Sequence, residues 1–287
     1  MDKHAYLIMA HEYNETLITL LKALDDVRND IFIHIDKKSH GFNYFRIKNT
    51  LGYSELIFTE NIEVNWGGYS QIKCEMILLR AAANHKKYSN YHLISGSDLP
   101  TKSQDFIHSF FQKNQNKNFV GFNKNQNMHK DRTKYYYFFQ ELKPRQNNLF
   151  FKIIERVSLF IQKLFRINRN SEVNFKKGPN WFSLTHSFVQ YVILNEEWIE
   201  KTFKNTLCGD ELYIQTLIYN SGFRDNIYEI DCVDDNRATM RHIDWVRGNP
   251  YRFESDDFVE VFNNDMLFAR KFESNVQFEK IELYLKK

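Results

Sequence analysis

An acidic pair at the predicted start of a helix is the first group of side chains that could do chemistry. Asp210 and Glu211 follow Gly209 and precede an apolar run at helical spacing. One acid can cap the helix, while the other points from its first turn into a neighbouring cleft, where it could act as a general base. The alternative is that both acids only cap the helix, which is the usual role of acids at this position.

A basic pair near the end of the chain suggests an anion site. Arg270 and Lys271 lie between Phe268 and Phe272 in the run LFARKFE. Buried rings on both sides would hold the two cationic stems in fixed positions, as a phosphate site requires. A solvated charged face is the alternative.

Two further positions could hold a flat, polar ligand. Asp36 ends an apolar run, where its carboxylate could accept hydrogen bonds from a ribose or a base edge. Trp66 precedes Gly67 and Gly68, which would let the backbone pass close to a ligand while the indole offers a stacking face. The alternatives are a carboxylate paired with its neighbouring lysines and a core tryptophan beside a tight turn.

Several motifs of metal and phosphate chemistry are absent from the sequence. No two aspartates stand two positions apart, so the DxD pair of metal-dependent nucleotide-sugar transferases is missing. No HExxH, glycine-rich phosphate loop, GxSxG or zinc-ligand spacing occurs either. The sequence therefore offers none of these local motifs for a metal ion or a phosphate.

The elements that must position these residues are short strands alternating with helices. Apolar runs at 5–10, 31–36 and 91–96 predict buried strands, separated by apolar residues at helical spacing. This alternation predicts an α/β fold with a mostly parallel central sheet flanked by helices. Such sheets bind ligands at the carboxyl ends of their strands, which is where Asp36 and the turn around Asp98 occur.

Length and composition fit a folded protein, and they allow either a single domain over residues 1–287 or two domains. The 287 residues are 43% hydrophobic and 26% charged, enough for an ordinary core. The cysteines Cys74, Cys208 and Cys232 lie far apart and are odd in number, so they offer neither a disulfide framework nor a metal knuckle. This number and spacing of cysteines favours a location in the reducing cytoplasm.

Positive charge is concentrated in the middle of the chain. The net charge is only +3, but nine Lys or Arg against three Glu occur between residues 141 and 177. We interpret residues 124–177 as a basic, aromatic insertion, and residues 149–170 predict an amphipathic helix of the kind that binds anionic membranes. Packing against the protein or a second copy is the alternative. The apolar positions are Phe150, Ile153, Ile154, Val157, Phe160, Ile161, Leu164 and Phe165, and the cations are Lys152, Arg156, Lys163, Arg166 and Arg169.

A resemblance to a known family rests on seven strings in a fixed order. They are IHIDKKS, NWGGYS, ISGSDLP, GPNWFSLTHSFVQYV, GDELYIQT, HIDW and LFARKFE. Together they resemble the core-2/I-branching N-acetylglucosaminyltransferase and peptide O-xylosyltransferase family, from about Ala5 to Glu273 except in the middle insertion. The resemblance implies a GT-A-like fold, an inverting mechanism and no metal requirement, which agrees with the missing DxD pair.

The resemblance also implies roles for individual residues. Glu211 matches the family's catalytic acid, and Arg270 with Lys271 matches its basic pair at the diphosphate. Asn180 stands where the xylosyltransferases carry an acid, a departure that speaks against xylose as the donor sugar. The other implied donor-binding residues are Met9 beside the base, Asp36 and Trp66 at the uridine, Asp98 in the turn that replaces the DxD loop, Trp181 by the sugar, and Arg241 and Arg247 as open candidates for a phosphate contact.

These observations lead us to expect a metal-independent, inverting glycosyltransferase with Glu211 as the general base. It would move a sugar from a UDP-sugar to a hydroxyl of a glycan or a lipid-linked oligosaccharide, in bacterial surface polysaccharide synthesis. GlcNAc, xylose, galactose and galactofuranose remain open as the donor sugar. We expect the protein in the cytoplasm, with 149–170 as an open candidate for peripheral contact with the inner face of the cell membrane.

A protein without catalysis that binds nucleic acid or an anionic membrane is the alternative function. Bases could stack on the run Tyr135 to Tyr137, with nearby cations at the backbone. The nearly neutral charge of the whole chain and the apolar residues among its basic ones speak against nucleic acid.

Overall fold

The fold is built around a central sheet with helices on both faces. The computed structural model describes residues 2–124, 130–142, 149–231 and 234–286. Within these residues the strands are β1 (His4–Ala10), β2 (Asn29–Ile35), β3 (Glu55–Phe58), β4 (Asn90–Ser95), β5 (Leu99–Pro100), β6 (Ser183–Thr185), β7 (Arg241–Ile243) and β8 (Phe268–Arg270). The helices are α1 (Glu15–Leu24), α2 (Tyr44–Lys48), α3 (Tyr69–His85), α4 (Gln104–Lys113), α5 (Lys130–Lys134), α6 (Leu149–Leu164), α7 (His186–Leu194), α8 (Glu196–Phe203), α9 (Tyr213–Tyr219), α10 (Asp235–Thr239), α11 (Phe258–Asn263) and α12 (Phe278–Leu285).

The central sheet has the strand order β3-β2-β1-β4-β6. β1 pairs in parallel with β2 and β4, and β3 pairs in parallel with β2, whereas β6 runs antiparallel to β4. Ile8 in β1 is aligned with Ile33 in β2 and with Ile94 in β4. The predicted α/β fold with a mostly parallel central sheet is therefore confirmed.

Alternation along the strands explains why helices cover both faces. Tyr6 and Ile8 of β1 belong to one hydrophobic cluster, whereas Ala5 and Leu7 belong to the other. Successive side chains of a strand point to opposite faces, so a strand buried on both faces must be apolar at nearly every position. α1 and α12 pack on the first face, and α3 and α7 pack on the second.

A smaller sheet, ordered β5-β8-β7, lies beyond the end of β4. β8 pairs antiparallel with β5 and parallel with β7, and Leu99 is aligned with Ala269. Because β5 follows β4 after the turn at Gly96–Asp98, this sheet carries the end of the chain back to the carboxyl edge of the central sheet. Arg270, the last residue of β8, reaches that edge by this route.

The buried guanidinium of Arg241 joins the two sheets. Arg241 is 1% exposed, and burial lowers its pKa to about 9. It donates hydrogen bonds to the carbonyl oxygens of Thr239 at 2.6 Å, Leu93 at 3.2 Å and Phe182. The expectation that Arg241 could contact a donor phosphate is corrected here, because these main-chain bonds and its burial make it a structural residue.

The insertion places α5 and α6 beside the central domain. Its segments 125–129 and 143–148 lie outside the described residues. Gln162 of α6 accepts a hydrogen bond from the Tyr136 amide at 2.7 Å and donates one to the Tyr136 carbonyl oxygen at 2.9 Å. Among the described helices, none is both long and apolar enough to cross a bilayer.

The cysteines that the structure describes, Cys74 and Cys208, are buried free thiols. Burial raises the pKa of both thiols, to about 12 for Cys208. Cys232 lies outside the described residues.

Arg241→Met should lower the free energy of unfolding by about 3 kcal/mol or more, because three buried carbonyl oxygens would lose their donor. Chemical denaturation followed by circular dichroism measures this loss. Arg237→Met is the matched control, since Arg237 pairs with Glu229 at the surface, where such pairs contribute at most about 1 kcal/mol. Equal losses in the two variants would contradict the structural role of Arg241.

Candidate functional site

Glu211 lies between two cations that both come from the insertion. Its Oε2 atom is 2.9 Å from the guanidinium of Arg132 and 3.0 Å from the Nζ of Lys177. The Glu211 side chain is about one-third exposed, so it is accessible from a cleft. Both ion pairs of this carboxylate with described residues use Oε2, so Oε1 can accept a proton from a bound hydroxyl.

The loop that carries Glu211 is fixed by main-chain hydrogen bonds to two neighbouring segments. Residues Gly209–Glu211 form a 3₁₀ turn after Cys208, whose φ of 49° is left-handed. The Cys208 amide donates to the Gly67 carbonyl oxygen at 2.9 Å, and the Gly178 amide donates to the Glu211 carbonyl oxygen at 3.0 Å. A Cβ on Gly178 would meet the Gly121 carbonyl oxygen at 1.9 Å, so this close approach requires glycine.

Two buried carboxyl groups lie behind Glu211. Asp210 is 6% exposed, and burial, followed by the charge of Glu211, raises its pKa to about 7. Glu75 on α3 is fully buried, and burial, followed by Asp210, raises its pKa well above its usual value. Gln71 donates to Asp210 at 3.0 Å, and the Tyr213 hydroxyl donates to Glu75 at 2.6 Å.

Arg270 and Asp98 form the opposite side of the site. The Arg270 side chain is 14% exposed, its Nε lies 3.4 Å from the Asp98 carboxylate, and its guanidinium carbon is 3.9 Å from the centre of the Trp181 ring. Asp98 itself accepts hydrogen bonds from the Ser95 hydroxyl at 2.6 Å and the Ser95 amide at 2.9 Å. Burial lowers the pKa of Arg270, and the charge of Asp98 opposes that shift.

Lys271 belongs to a group of cations next to Arg270. Burial lowers the pKa of Lys271, and the charges of Arg252 and Arg270 lower it further. Burial likewise lowers the pKa of His11, where Lys271 and Arg252 act in the same direction and Asp36 opposes them. An anion bound among these groups would relieve their mutual repulsion.

Met9, Asp36 and Trp66 lie at the carboxyl edge of the central sheet. The Gly96 amide donates to the Met9 carbonyl oxygen at 3.0 Å. Asp36 is buried and accepts a hydrogen bond from the Val64 amide at 3.4 Å, which ties it to the loop before Trp66. The Trp66 ring is 67% exposed, so it is available for stacking rather than part of the core.

Residues 177–181 connect the two sides of the site. Lys177 contacts Glu211, and Trp181, four residues later, stacks on Arg270. Four residues span at most roughly 14 Å, so this short segment brings the acid and the cation to neighbouring parts of the fold. Asn180, between them, lies against the buried Glu75.

Arg247 is neutralised by acids. It pairs with Asp244, with Asp257 at 2.7 Å and with Glu260 at 3.4 Å, and its guanidinium stacks on the Tyr251 ring. These contacts satisfy the guanidinium without a phosphate.

The tyrosine run does not form the stacking platform that the nucleic-acid alternative needs. Tyr135 and Tyr137 are buried, at 6% and 7% exposure, and only Tyr136 of the three is exposed. This arrangement removes two of the three rings on which bases could stack.

Three cations of the site were not predicted from the sequence: Arg132, Lys177 and Arg252. Arg132 and Lys177 lie inside or at the end of the insertion, where the family resemblance fails. The excess of positive charge in that region was the only signal, and it did not indicate which cations face Glu211.

One group of possible metal ligands among the described residues lies elsewhere. It consists of Asp30, Glu55 and His85. Asp30 pairs with Lys3 at 2.7 Å and with Lys86 at 3.2 Å, and Lys86 also pairs with Glu55 at 2.8 Å. These ammonium groups occupy the positions that a cation would take.

The family model for the Core-2/I-Branching enzyme matches residues 4–267. Human xylosyltransferase 2 is 24% identical over 303 residues, which cover 97% of this chain and 33% of that protein. Xylosyltransferase sqv-6 of Caenorhabditis briggsae is 23% identical over 98% of this chain and 36% of that protein. The chain thus spans about a third of the length of the curated relatives that it matches.

Solved structures give partial matches. The apo-form glycosyltransferase GlyE of Streptococcus pneumoniae aligns with 98% of this chain and 59% of that chain, at 12% identity and a TM-score of 0.37. The S. aureus TarS structure aligns with 39% of this chain and 20% of that chain, at 14% identity and a TM-score of 0.27.

Asp210→Asn should reduce the fall in melting temperature between pH 5 and pH 8. In the folded protein the pKa of Asp210 rises from 3.8 to about 7, so the native state holds this proton more tightly than the unfolded chain does. The contribution of Asp210 to stability is therefore greatest below about pH 4, decreases as the pH rises and levels off above about pH 7. Calorimetry across this range measures the effect.

The exposed Asp256→Asn change is the control for Asp210→Asn, and it should keep the pH dependence of the wild type. An equally steep pH dependence in Asp210→Asn and in the wild type would contradict a protonated, buried Asp210.

Proposed function

The chain belongs to the Core-2/I-Branching enzyme family of glycosyltransferases, and from this premise we propose that it transfers a sugar from a UDP-sugar to a hydroxyl of a glycan acceptor. The transfer inverts the configuration at the anomeric carbon and needs no metal ion. The observation that carries this proposal is the short segment 177–181, whose Lys177 contacts Glu211 at 3.0 Å and whose Trp181 stacks on Arg270 at 3.9 Å.

The reaction is a direct displacement. The acceptor hydroxyl oxygen forms a bond to the anomeric carbon while the bond from that carbon to the diphosphate oxygen breaks. Oε1 of Glu211 accepts the hydroxyl proton, and the leaving diphosphate takes the electron pair of the broken bond. Inversion follows because the acceptor attacks from the face opposite the leaving group.

Arg132 and Lys177 have a positioning role in this mechanism. Both contact Oε2 of Glu211, at 2.9 Å and 3.0 Å, and so fix the direction in which the other oxygen points. A base held in one orientation gives up less entropy when the acceptor binds.

Arg270 and Lys271 stabilise the charge of the diphosphate, as a metal ion does in metal-dependent transferases. Negative charge develops on the diphosphate as the bond breaks, and fixed cations in a partly buried site stabilise that charge without reorganising. Trp181 and Asp98 hold the Arg270 guanidinium in place. Arg252 adds positive charge near Lys271.

The nucleoside is assigned to the carboxyl edge of the sheet. Asp36 is positioned there to accept hydrogen bonds from the ribose or the base, Trp66 offers an exposed ring, and Met9 gives an apolar contact. The acceptor is assigned to the side of the cleft where the insertion contacts Glu211, and a glycan of a bacterial surface polysaccharide is the acceptor that we propose.

Glu211→Gln should lower turnover by about 10²-fold or more while UDP binding stays nearly unchanged, because the amide cannot accept the proton but keeps the shape of the site. Turnover of a panel of UDP-sugars, with release of UDP as the readout, measures the loss, and calorimetric titration with UDP measures binding.

Glu196→Gln is the matched control for Glu211→Gln, since Glu196 also pairs with an arginine, Arg80 at 2.8 Å, but lies outside the cleft. Its turnover should equal that of the wild type. Wild-type turnover in Glu211→Gln would remove Glu211 from the mechanism.

Lys271→Met should weaken UDP binding and lower turnover by about tenfold or more, since a charge-assisted bond to the diphosphate contributes about 1.5–3 kcal/mol. The exposed Lys286→Met change, at the end of α12, is the control for this variant.

EDTA should leave wild-type turnover unchanged, because the protein's own cations stabilise the charge on the diphosphate. Activity that disappears with EDTA and returns with Mn²⁺ would overturn the metal-free mechanism.

A further inference from the structure

Helix α6 exposes a stripe of large apolar side chains. Eight residues on and just beyond it are between 46% and 73% exposed, although such side chains are usually buried when they are grouped on a helix. At 3.6 residues per turn they cover roughly 140° of the helix surface. They are Leu149, Phe150, Ile153, Val157, Phe160, Ile161, Leu164 and Phe165, and below we call them the apolar stripe.

The apolar stripe points away from the protein because another face of α6 makes the internal contacts. Gln162 is buried and holds the Tyr136 main chain through two hydrogen bonds, of 2.7 Å and 2.9 Å. Phe151 lies on the same inward face, with its ring centre 6.3 Å from that of Phe139. These contacts fix the rotation of the helix about its axis.

The third face of α6 is basic and borders the apolar stripe directly. Lys152, Arg156 and Lys163 are exposed and lie on one side of the helix, next to Phe160. Glu155, the only acidic residue of α6, lies on the inward half of the helix. The outward surface therefore consists of apolar side chains with a row of cations along one edge.

The exposed apolar surface continues beyond α6. Phe138 is 56% exposed, and its ring stacks at 5.5 Å on that of Tyr136, to which Gln162 is bonded. Ring contacts at 6.5 Å and 6.3 Å connect Phe138 through Phe139 to Phe151. The patch is larger than one helix and includes the segment before it.

We propose that the apolar stripe of α6 inserts into the surface of an anionic phospholipid bilayer, with Lys152, Arg156 and Lys163 on the lipid phosphates. A helix with a large apolar face and cations along its edge lies in the interface with that face below the headgroups. Lipid phosphates carry the negative charge that attracts this row of cations, of which Lys163 also lies 3.4 Å from the Asp131 carboxylate. A second copy of the chain would bring the same cations to the contact and no carboxylate from this face.

Docking of α6 places the bilayer next to the catalytic cleft. Arg169, just after α6, donates to the Thr133 carbonyl oxygen of α5 at 3.0 Å, and Arg132 of α5 contacts Glu211. One short helix thus separates the lipid-binding helix from the general base. An acceptor carried on a lipid would reach Glu211 from this side, a consequence that rests on the proposed function, whereas the docking itself does not.

Vesicle flotation tests the docking without any need for catalysis. The wild type should float with vesicles of phosphatidylcholine and phosphatidylglycerol and bind weakly to phosphatidylcholine alone. The triple change Phe150→Ser, Phe160→Ser and Leu164→Ser should abolish flotation. The matched control changes three other exposed apolar residues, Phe45→Ser, Tyr53→Ser and Leu194→Ser, and should float like the wild type.

A second variant tests the charge. Lys152→Gln with Arg156→Gln should weaken binding to the anionic vesicles by roughly 25-fold, since each cation near an anionic surface contributes about fivefold. Lys201→Gln with Lys204→Gln, on the surface of α8, should change binding little. Circular dichroism and UDP binding check that every variant is folded.

Two outcomes would overturn the proposal. One is equal flotation of the wild type and the stripe variant, or no flotation of either. The other is light scattering that finds the wild type dimeric without lipid and the stripe variant monomeric, which would make a second copy the occupant of the patch. Turnover on a soluble acceptor separates the two proposals, because it should survive loss of the apolar stripe and would be absent if the proposed function is wrong.

Discussion

Arg270 is a cation largely removed from water, and its position depends on two contacts. The Asp98 carboxylate lies 3.4 Å from its Nε, and the Trp181 ring lies 3.9 Å from its guanidinium carbon. A buried charge requires such partners, since its desolvation is otherwise uncompensated. The three residues come from β8, from the turn after β4 and from the segment before β6, so this one interaction brings together the small sheet, the central sheet and the border of the cleft.

On the acidic side of the proposed site, carboxyl groups that would repel one another lie close together. Glu211, Asp210 and Glu75 bring three carboxyl groups close together, two of them buried. The fold accommodates them in two ways: burial raises the pKa of Asp210 and Glu75, and Arg132 with Lys177 neutralises Glu211. The insertion is therefore part of the proposed active site, since it supplies both cations, and it also presents α6 to the outside.

The match to the Core-2/I-Branching enzyme family extends over residues 4–267, although the relatives are about three times as long. The shared strings occupy the edge of the central sheet, the 3₁₀ turn and the end of β8, which are the places where the cleft is formed. The cations that contact Glu211 come instead from the region with the least resemblance.

Local patterns in the sequence establish the layered fold, because β1 and β2 consist largely of apolar residues that need cover on both faces, and period-2 and period-3.6 patterns are local. The sequence also placed Asp36, Trp66 and Asp98 at strand ends, and the family strings indicated Glu211, Arg270 and Lys271. The tertiary structure was needed to show that Arg241 is buried and bonded to main-chain carbonyl oxygens. It was also needed to show that Arg247 is paired with carboxylates and that the tyrosine run is mostly buried. It also decided that the apolar stripe of α6 faces outward. These outcomes depend on partners far away in the chain, such as Phe182 for Arg241, and on the rotation of a helix about its axis, which no local pattern specifies.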